Sequence, residues 1–267
     1  MTELSISKAW DETRAVIARD GRLIISVALA LILFPEAVAG VIGPPPTLSG
    51  EQGPSWLPVV NLIVGLLGIA AQIAVMRLAI GPATSVGEAI GHAFRRLPSA
   101  LAALMIFALP LAVVLVVLIV AIAGPDAMNA LMAGTVEPRL ASAVGLFVIA
   151  ALLISVRFQM VIPVATAEPP RPLETVRRSF ALTAGHYWRL LAVLLLAGTV
   201  ALVLLTFAQL VGGIIAKLLF GDIKPFSVGA LLIALLTGTA QAAFAATFSV
   251  LLARIYVQLA GSPKSGI

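Results

Sequence analysis

The composition of this chain excludes an ordinary soluble domain. Of its 267 residues, 61% are hydrophobic and only 11% are charged, whereas soluble domains carry about 25% charged residues. The net charge of +5 comes without a Lys/Arg-rich block that has interleaved aromatics, so we expect no nucleic-acid partner. The absence of cysteine excludes disulfides, thiol nucleophiles and thiolate metal ligands.

Six apolar runs dominate the chain, and each is long enough to cross the hydrocarbon of a membrane, which takes roughly 20 helical residues. They are Leu23–Ile42, Leu57–Ile80, Ser99–Gly124, Leu140 to about Met160, Leu190–Phe220 and Ser227–Ala260. We therefore predict an all-α, polytopic membrane helical bundle, a single integral membrane domain over residues 1–267. Its six transmembrane helices form three hairpins. Pro110 is expected to kink the third span, and Pro163 to end or bend the fourth.

Short amphipathic helices at the cytoplasmic membrane surface are predicted before the first, third and fifth spans. The first lies within residues 1–22, where four residues share one helical face: Ile6, Trp10, Thr13 and Ile17. The second is Val86–Arg96, and the third follows Pro163. One such helix before each hairpin suggests three repeat units, residues 1–80, 81–168 and 169–267, although apolar sequences also resemble one another by chance. The stretches Gly43–Trp56 and Pro125–Pro138 are predicted to be loops.

The basic residues indicate how the chain is oriented. With six spans, Arg139, Lys217 and Lys224 are the basic residues on one side, and the other 14 of the 17 lie on the side of both termini. Because cytoplasmic loops carry an excess of Lys and Arg, we expect both termini in the cytoplasm.

The segment between the fourth and fifth spans carries a motif. Pro163 and Glu168 are followed by Leu173-Glu-Thr-Val-Arg-Arg-Ser-Phe-Ala-Leu-Thr183 and by His186-Tyr-Trp-Arg189. This pattern resembles a bacterial family that includes YciC-like inner-membrane proteins and the membrane domain of some glycerophosphoryl diester phosphodiesterases, although Thr175 stands where alanine is commoner. The resemblance implies six spans and a location in the bacterial inner membrane. The phosphodiesterase barrel would need about 250 further residues, so we do not expect that activity.

Basic and aromatic residues of the cytoplasmic segments are candidates for binding anionic lipid headgroups or a membrane partner, since each cation near such a surface contributes about 1 kcal/mol. The candidates are Arg95, Arg96, Arg171, Arg177, Arg178, Trp188 and Arg189. Within the third amphipathic helix, Leu173, Val176 and Phe180 would face the acyl chains, and Glu174 would pair with Arg178. A topology signal and membrane anchor is the simpler alternative. Arg157 is interpreted as an anchor or as a partner of Glu168.

Few polar side chains fall within the spans. Glu36 is the one acid well inside an apolar run, and a carboxylate in that position is by default a functional candidate, unless it reaches water near the outer end. Asn61, Gln72, Gln209 and Gln241 are expected to form hydrogen bonds between helices. Gly65 and Gly68 are expected to allow close helix contact. A further stripe of small residues, Gly238, Ala242 and Ala246, predicts helix packing.

Catalysis is not expected. His92 and His186 have no neighbouring carboxylate cluster in the sequence, so we predict no metal site and no cofactor, and no hydrolase or nucleotide-binding motif is present. The leading hypothesis is a non-enzymatic inner-membrane protein whose basic helices bind anionic phospholipids or a membrane partner, including a second copy of itself, with a possible role in envelope or lipid homeostasis. The alternative is a small transporter with a site between the hairpins that uses Glu36.

Overall fold

The computed structural model describes residues 4–43, 56–81, 85–124, 138–168, 171–221 and 223–261. Within these ranges the chain forms helices and no strands, which confirms the all-α prediction. The helices are α1 (Ile6–Ala28), a π-helical turn (Leu29–Leu33), α2 (Phe34–Ile42), α3 (Leu57–Ile80), α4 (Val86–Ala123), α5 (Pro138–Phe158), α6 (Val161–Ala167), α7 (Pro172–Thr183), α8 (Tyr187–Phe220) and α9 (Val228–Ala260). Most of the two predicted proline-rich and weakly polar loops, residues 44–55 and 125–137, lies outside the described residues.

Within the described residues, six helical segments are long and apolar enough to cross a membrane, as predicted. They are Ile6–Ile42, Leu57–Ile80, Val86–Ala123, Pro138–Ala167, Tyr187–Phe220 and Val228–Ala260. The side of the membrane on which the termini lie, and the threefold repeat, stay predictions.

Two of the predicted amphipathic helices are continuous with the spans that follow them. The N-terminal segment runs without a break from Ile6 through the π turn to Ile42, and Val86–Arg96 is the first part of α4. Of the three predicted amphipathic helices, the third, α7, is the one that forms a separate helix. In the N-terminal segment the buried side is formed by Ala9, Thr13 and Val16, whereas Trp10 is 46% exposed. Of the predicted membrane-facing side, Trp10 is thus exposed, whereas Thr13 packs inside the protein.

Prolines affect two spans differently. Helix α4 continues through Pro98 and Pro110. The fourth span is interrupted at Gln159–Met160, between α5 and α6. Because Pro163 has no backbone N–H, it cannot donate to the carbonyl of Gln159, four residues earlier. The predicted end or bend at Pro163 thus takes the form of a two-residue break just before it.

The chain forms two compact units, one of residues 1–97 and 192–267 and one of residues 98–191. In the first unit, α9 packs against α1, the π turn, α2 and α3. Three polar contacts join the C-terminal two-thirds of α9 to the first span and its N-cap residue, Ser5. Gln258 Oε1 accepts from the Ser5 N–H at 3.2 Å, Arg254 Nε donates to Glu12 Oε2 at 2.9 Å, and Gln241 Nε2 donates to Glu36 Oε1 at 2.6 Å.

Small residues allow α2 and the π turn to approach α9 closely. A Cβ at Gly40 would lie 2.8 Å from the Cβ of Ala234, and one at Gly238 would lie 2.9 Å from Leu33 Cδ1. The predicted stripe on α9 is buried as expected. The prediction for Gly65 and Gly68 was wrong, because a Cβ added to either would meet no atom within 4 Å.

Two apolar clusters of described residues lie in the second unit. One joins Ala103, Val161 and Val176, and the other joins Ile119, Leu140 and Ala143. Val176, which was predicted to face acyl chains, is therefore part of the protein core. Leu173 and Phe180, its predicted companions, are 54% and 41% exposed.

Gly40→Ala should destabilise the first unit, because the added methyl group cannot fit beside Ala234 and overpacking costs about 1–3 kcal/mol. Thermal unfolding in detergent would measure the effect. Gly198→Ala, at a helical position where a Cβ meets nothing within 4 Å, is the matched control and should leave the midpoint unchanged or raise it. Equal midpoints for the two variants would contradict the close contact of α2 with α9.

Candidate functional site

The strongest candidate site is a polar cavity within the unit of residues 1–97 and 192–267. Its volume is about 470 Å³, and residues of α2, α3, α8 and α9 line it. Four of the five polar residues singled out from the spans belong to this lining: Glu36, Asn61, Gln209 and Gln241. Thr237 adds a hydroxyl group. Tertiary structure thus brings together polar groups that lie up to 205 residues apart in the chain.

Glu36 and Gln241 form the centre of this polar group. The 2.6 Å hydrogen bond from the Gln241 amide satisfies part of the half-buried carboxylate of Glu36. Both residues also line a second cavity of about 210 Å³, which includes Gln72. The hydrogen-bonded pair therefore forms a wall shared by the two cavities.

The helix that carries Glu36 has a local irregularity. The π turn Leu29–Leu33 ends one residue before Phe34, and Pro35 follows at the start of α2. Proline cannot donate the usual helical hydrogen bond to the residue four positions earlier, here Leu31, and π turns often accompany such interruptions and functional sites. The sequence signal was the Pro35-Glu36 pair, but the π turn itself was not predicted.

Two of the predicted headgroup-binding arginines form ion pairs within the chain. Arg171 Nη1 lies 3.0 Å from Glu174 Oε1, and Arg178 Nε lies 3.1 Å from Glu168 Oε1. The predicted Glu174–Arg178 pair was therefore wrong. Because these pairs are partly exposed, each contributes little to stability, yet each reduces the charge available to a lipid.

The other predicted headgroup residues differ in burial. Four are exposed: Arg95, Arg177, Trp188 and Arg189. Arg96 is partly buried, and its Nη1 is enclosed with no hydrogen-bond partner. The positive charges of Arg77 and Arg95 repel that of Arg96. None of these three arginines pairs with a carboxylate in the part of the chain that the structure describes. Arg77, which the sequence reading had not included, thus belongs with the candidates Arg95 and Arg96.

The motif between the fourth and fifth spans makes contacts within the unit of residues 98–191. The Ser179 hydroxyl donates to the Arg157 carbonyl at 2.6 Å, and Arg157 Nη1 donates to Thr183 Oγ1 at 3.5 Å. The Tyr187 hydroxyl donates to the Leu153 carbonyl at 2.8 Å, and the Arg157 guanidinium lies 5.4 Å from the centre of the Tyr187 ring. Arg157 is therefore a structural centre of this unit, a role that its sequence position did not reveal.

The end of α5 explains why the Ser179 hydroxyl group is needed. Helix α5 ends at Phe158, so carbonyl groups in its last turn lack helical partners. Ser179 supplies a donor to one of them. The small, hydroxyl-bearing face of α7, with Thr175, Ser179 and Thr183 all buried, lies inward and leaves the arginines outward.

Among the described residues, no group of three or more His, Asp or Glu side chains could hold a metal ion. A comparison of the chain with known protein families, curated proteins and solved structures gives no match.

Ser179→Ala should destabilise the protein by about 1 kcal/mol, the usual loss when a hydrogen bond is removed. The measurement is the thermal unfolding midpoint in detergent. Ser155→Ala is the matched control, because the Ser155 hydroxyl donates to Leu152 in its own helix and joins no two elements. Should both variants unfold at the same temperature, the contact between α7 and α5 would not be a stabilising one.

The polar cavity should contain water. Since the chain has no cysteine, Thr237→Cys introduces a single thiol into the cavity lining, and a charged, membrane-impermeant thiol reagent should modify it at least about tenfold faster than a thiol in hydrocarbon, where the reactive thiolate does not form. Thr239→Cys is the control. Thr239 lies on the same helix, on its exposed surface, and both hydroxyls bond to their own helix. Equal labelling rates would contradict a water-filled cavity.

Proposed function

We propose that this multi-pass membrane protein binds a small cationic or hydrogen-bond-donating solute at Glu36 and conducts it across the membrane. The observation that carries the proposal is the convergence of Glu36, Asn61, Gln209 and Gln241 on one cavity within candidate membrane spans. Polar residues within membrane spans carry a large free-energy cost unless they are paired or face water. In transporters they mark the pathway of the substrate.

The class of solute follows from the chemistry of the lining. An ionised carboxylate only accepts hydrogen bonds, and an amide group can donate to it. A ligand that takes the place of Gln241 must therefore bring a donor or a positive charge of its own. The amides of Asn61 and Gln209 can both donate and accept, so they suit the polar remainder of such a solute. A cavity of about 470 Å³ lies within the usual range for small-molecule sites.

The sequence favoured another hypothesis, that basic helices bind anionic headgroups. This hypothesis stays a prediction, and it now concerns the arginines that have no carboxylate partner. Arg171 and Arg178 have carboxylate partners, whereas Arg77, Arg95 and Arg96 do not pair with one within the described residues. An unpaired, partly buried guanidinium is a suitable partner for a phosphate group. The resemblance to YciC-like proteins and the bacterial inner-membrane location also stay predictions.

Glu36→Gln should lower the uptake of radiolabelled methylammonium into proteoliposomes by at least about tenfold, because a hydrogen bond to a charged group contributes about 1.5–3 kcal/mol. Glu174→Gln is the control, since it removes a carboxylate on the exposed side of α7 and should leave uptake unchanged. Both proteins would be checked for equal reconstitution and unfolding temperature. Wild-type uptake by Glu36→Gln would exclude Glu36 from the pathway, and no uptake above empty liposomes by the unmodified protein would contradict conduction of this cation.

A further inference from the structure

A cavity of a different kind lies on the unit of residues 1–97 and 192–267, between α1, α8 and α9. It is a groove of about 420 Å³ whose lining includes Trp10, Leu196, Ala197, Phe244 and Phe248. The lining has one hydroxyl group, that of Thr247, and this hydroxyl donates to the Ala243 carbonyl of its own helix at 2.8 Å. The groove therefore presents hydrocarbon to any ligand.

The position of the groove indicates that its occupant comes from the membrane. All three helices that line it belong to candidate spans, and Leu196 is 66% exposed. The rings of Phe244 and Phe248 lie 5.7 Å apart and nearly parallel, with an interplanar angle of 10°. A preformed aromatic surface lowers the conformational entropy cost of binding a flexible acyl chain.

Apolar contact alone does not select one lipid over another, because lipid tails are as apolar as the side chains they replace. Selectivity must come from the polar end of the groove. Trp10 lines both the groove and a neighbouring recess of about 610 Å³ that includes Asp11 and Arg14. Tryptophan and charged residues in this arrangement are typical of the level of lipid headgroups.

Asp11 and Arg14 are both exposed and carry opposite charges. They do not form an ion pair with each other, and neither pairs with another of the described residues. Residues three positions apart lie on the same face of a helix, with Cβ atoms about 5–6 Å apart, so one headgroup can contact both side chains. A headgroup that carries only negative charge would match Arg14 but would lie beside Asp11.

We propose that this surface is a binding site for one zwitterionic aminophospholipid, with an acyl chain in the groove beside Trp10, the phosphate at Arg14 and the ammonium group at Asp11. The site is separate from the polar cavity at Glu36 and does not depend on the proposed conduction of a solute. It uses none of the arginines that the sequence had suggested for lipid binding. A primary ammonium group donates hydrogen bonds to a carboxylate, whereas a quaternary one cannot, so an ethanolamine headgroup fits better than a choline headgroup.

Competition between lipids tests the headgroup part of the site. Delipidated protein would receive equal amounts of phosphatidylethanolamine, phosphatidylcholine and phosphatidylglycerol with identical chains, and native mass spectrometry would measure the bound fraction. We expect the ethanolamine lipid to be retained about fivefold over either competitor, the effect of one hydrogen bond relative to choline or one favourable charge relative to glycerol, each about 1 kcal/mol. Asp11→Asn should abolish this preference, because it removes the charge that receives the ammonium group and disfavours a purely anionic headgroup. Glu174→Gln, at an exposed carboxylate of α7, is the matched control and should keep it.

Filling the groove tests the acyl-chain part. Ala197→Trp places an indole in the groove and should lower the amount of bound ethanolamine lipid, whereas Ala192→Trp, at an exposed position of α8 outside the lining, should not. Equal retention of the three lipids, preference for the glycerol lipid, or full retention by Ala197→Trp would each overturn the proposal. A second transmembrane helix that co-purifies with the protein and is lost only in Ala197→Trp would also overturn it, since the groove would then be a helix-docking surface.

Discussion

The pairing of the first and last spans is the constraint on which the unit of residues 1–97 and 192–267 depends. Carboxylates that are partly withdrawn from water need partners inside the protein, and the first helical segment contains two of them, Glu12 and Glu36, both partly buried. Arg254 and Gln241 of α9 supply those partners, and the close approach of Gly40 and Gly238 brings the backbones near enough for this. The polar contacts thus set the register between α9 and the first span, and small residues set the distance.

Both cavities of functional interest are consequences of this pairing. The polar cavity lies where α2 and α9 meet near Glu36, and the apolar groove lies along another side of α9 at Phe244 and Phe248. The same helix therefore presents amide and hydroxyl groups toward one cavity and aromatic rings toward the other. This division is typical of a helix that separates an internal site from lipid.

The motif around α7 illustrates how one pattern can have two physical explanations. From the sequence, its arginines and aromatics were expected to contact headgroups. In the structure, the side chains of Ser179, Thr183 and Tyr187 form hydrogen bonds with residues of α5. Arg178 forms an ion pair with Glu168. A carbonyl group left without a partner at the end of a helix is a strong requirement, so the serine at position 179 needs no ligand to explain it.

Several features follow from the sequence because they depend on local properties. The six spans follow from the length and hydropathy of the apolar runs, the break in the fourth span from the missing N–H of Pro163, and the buried stripe at Gly238, Ala242 and Ala246 from helical spacing. The identity of polar candidates such as Glu36 and Gln241 also follows, since so few polar residues lie in the spans.

Tertiary structure decided which of these residues meet. Hydropathy does not indicate the direction in which a side chain of a uniformly apolar helix points. The sequence therefore could not show that Glu36 bonds to Gln241 or that Gly40 rather than Gly65 makes the close contact. Nor could it show that the Arg157 guanidinium packs against the Tyr187 ring. Those outcomes depend on helix rotation and register, which are set by packing between segments far apart in the chain.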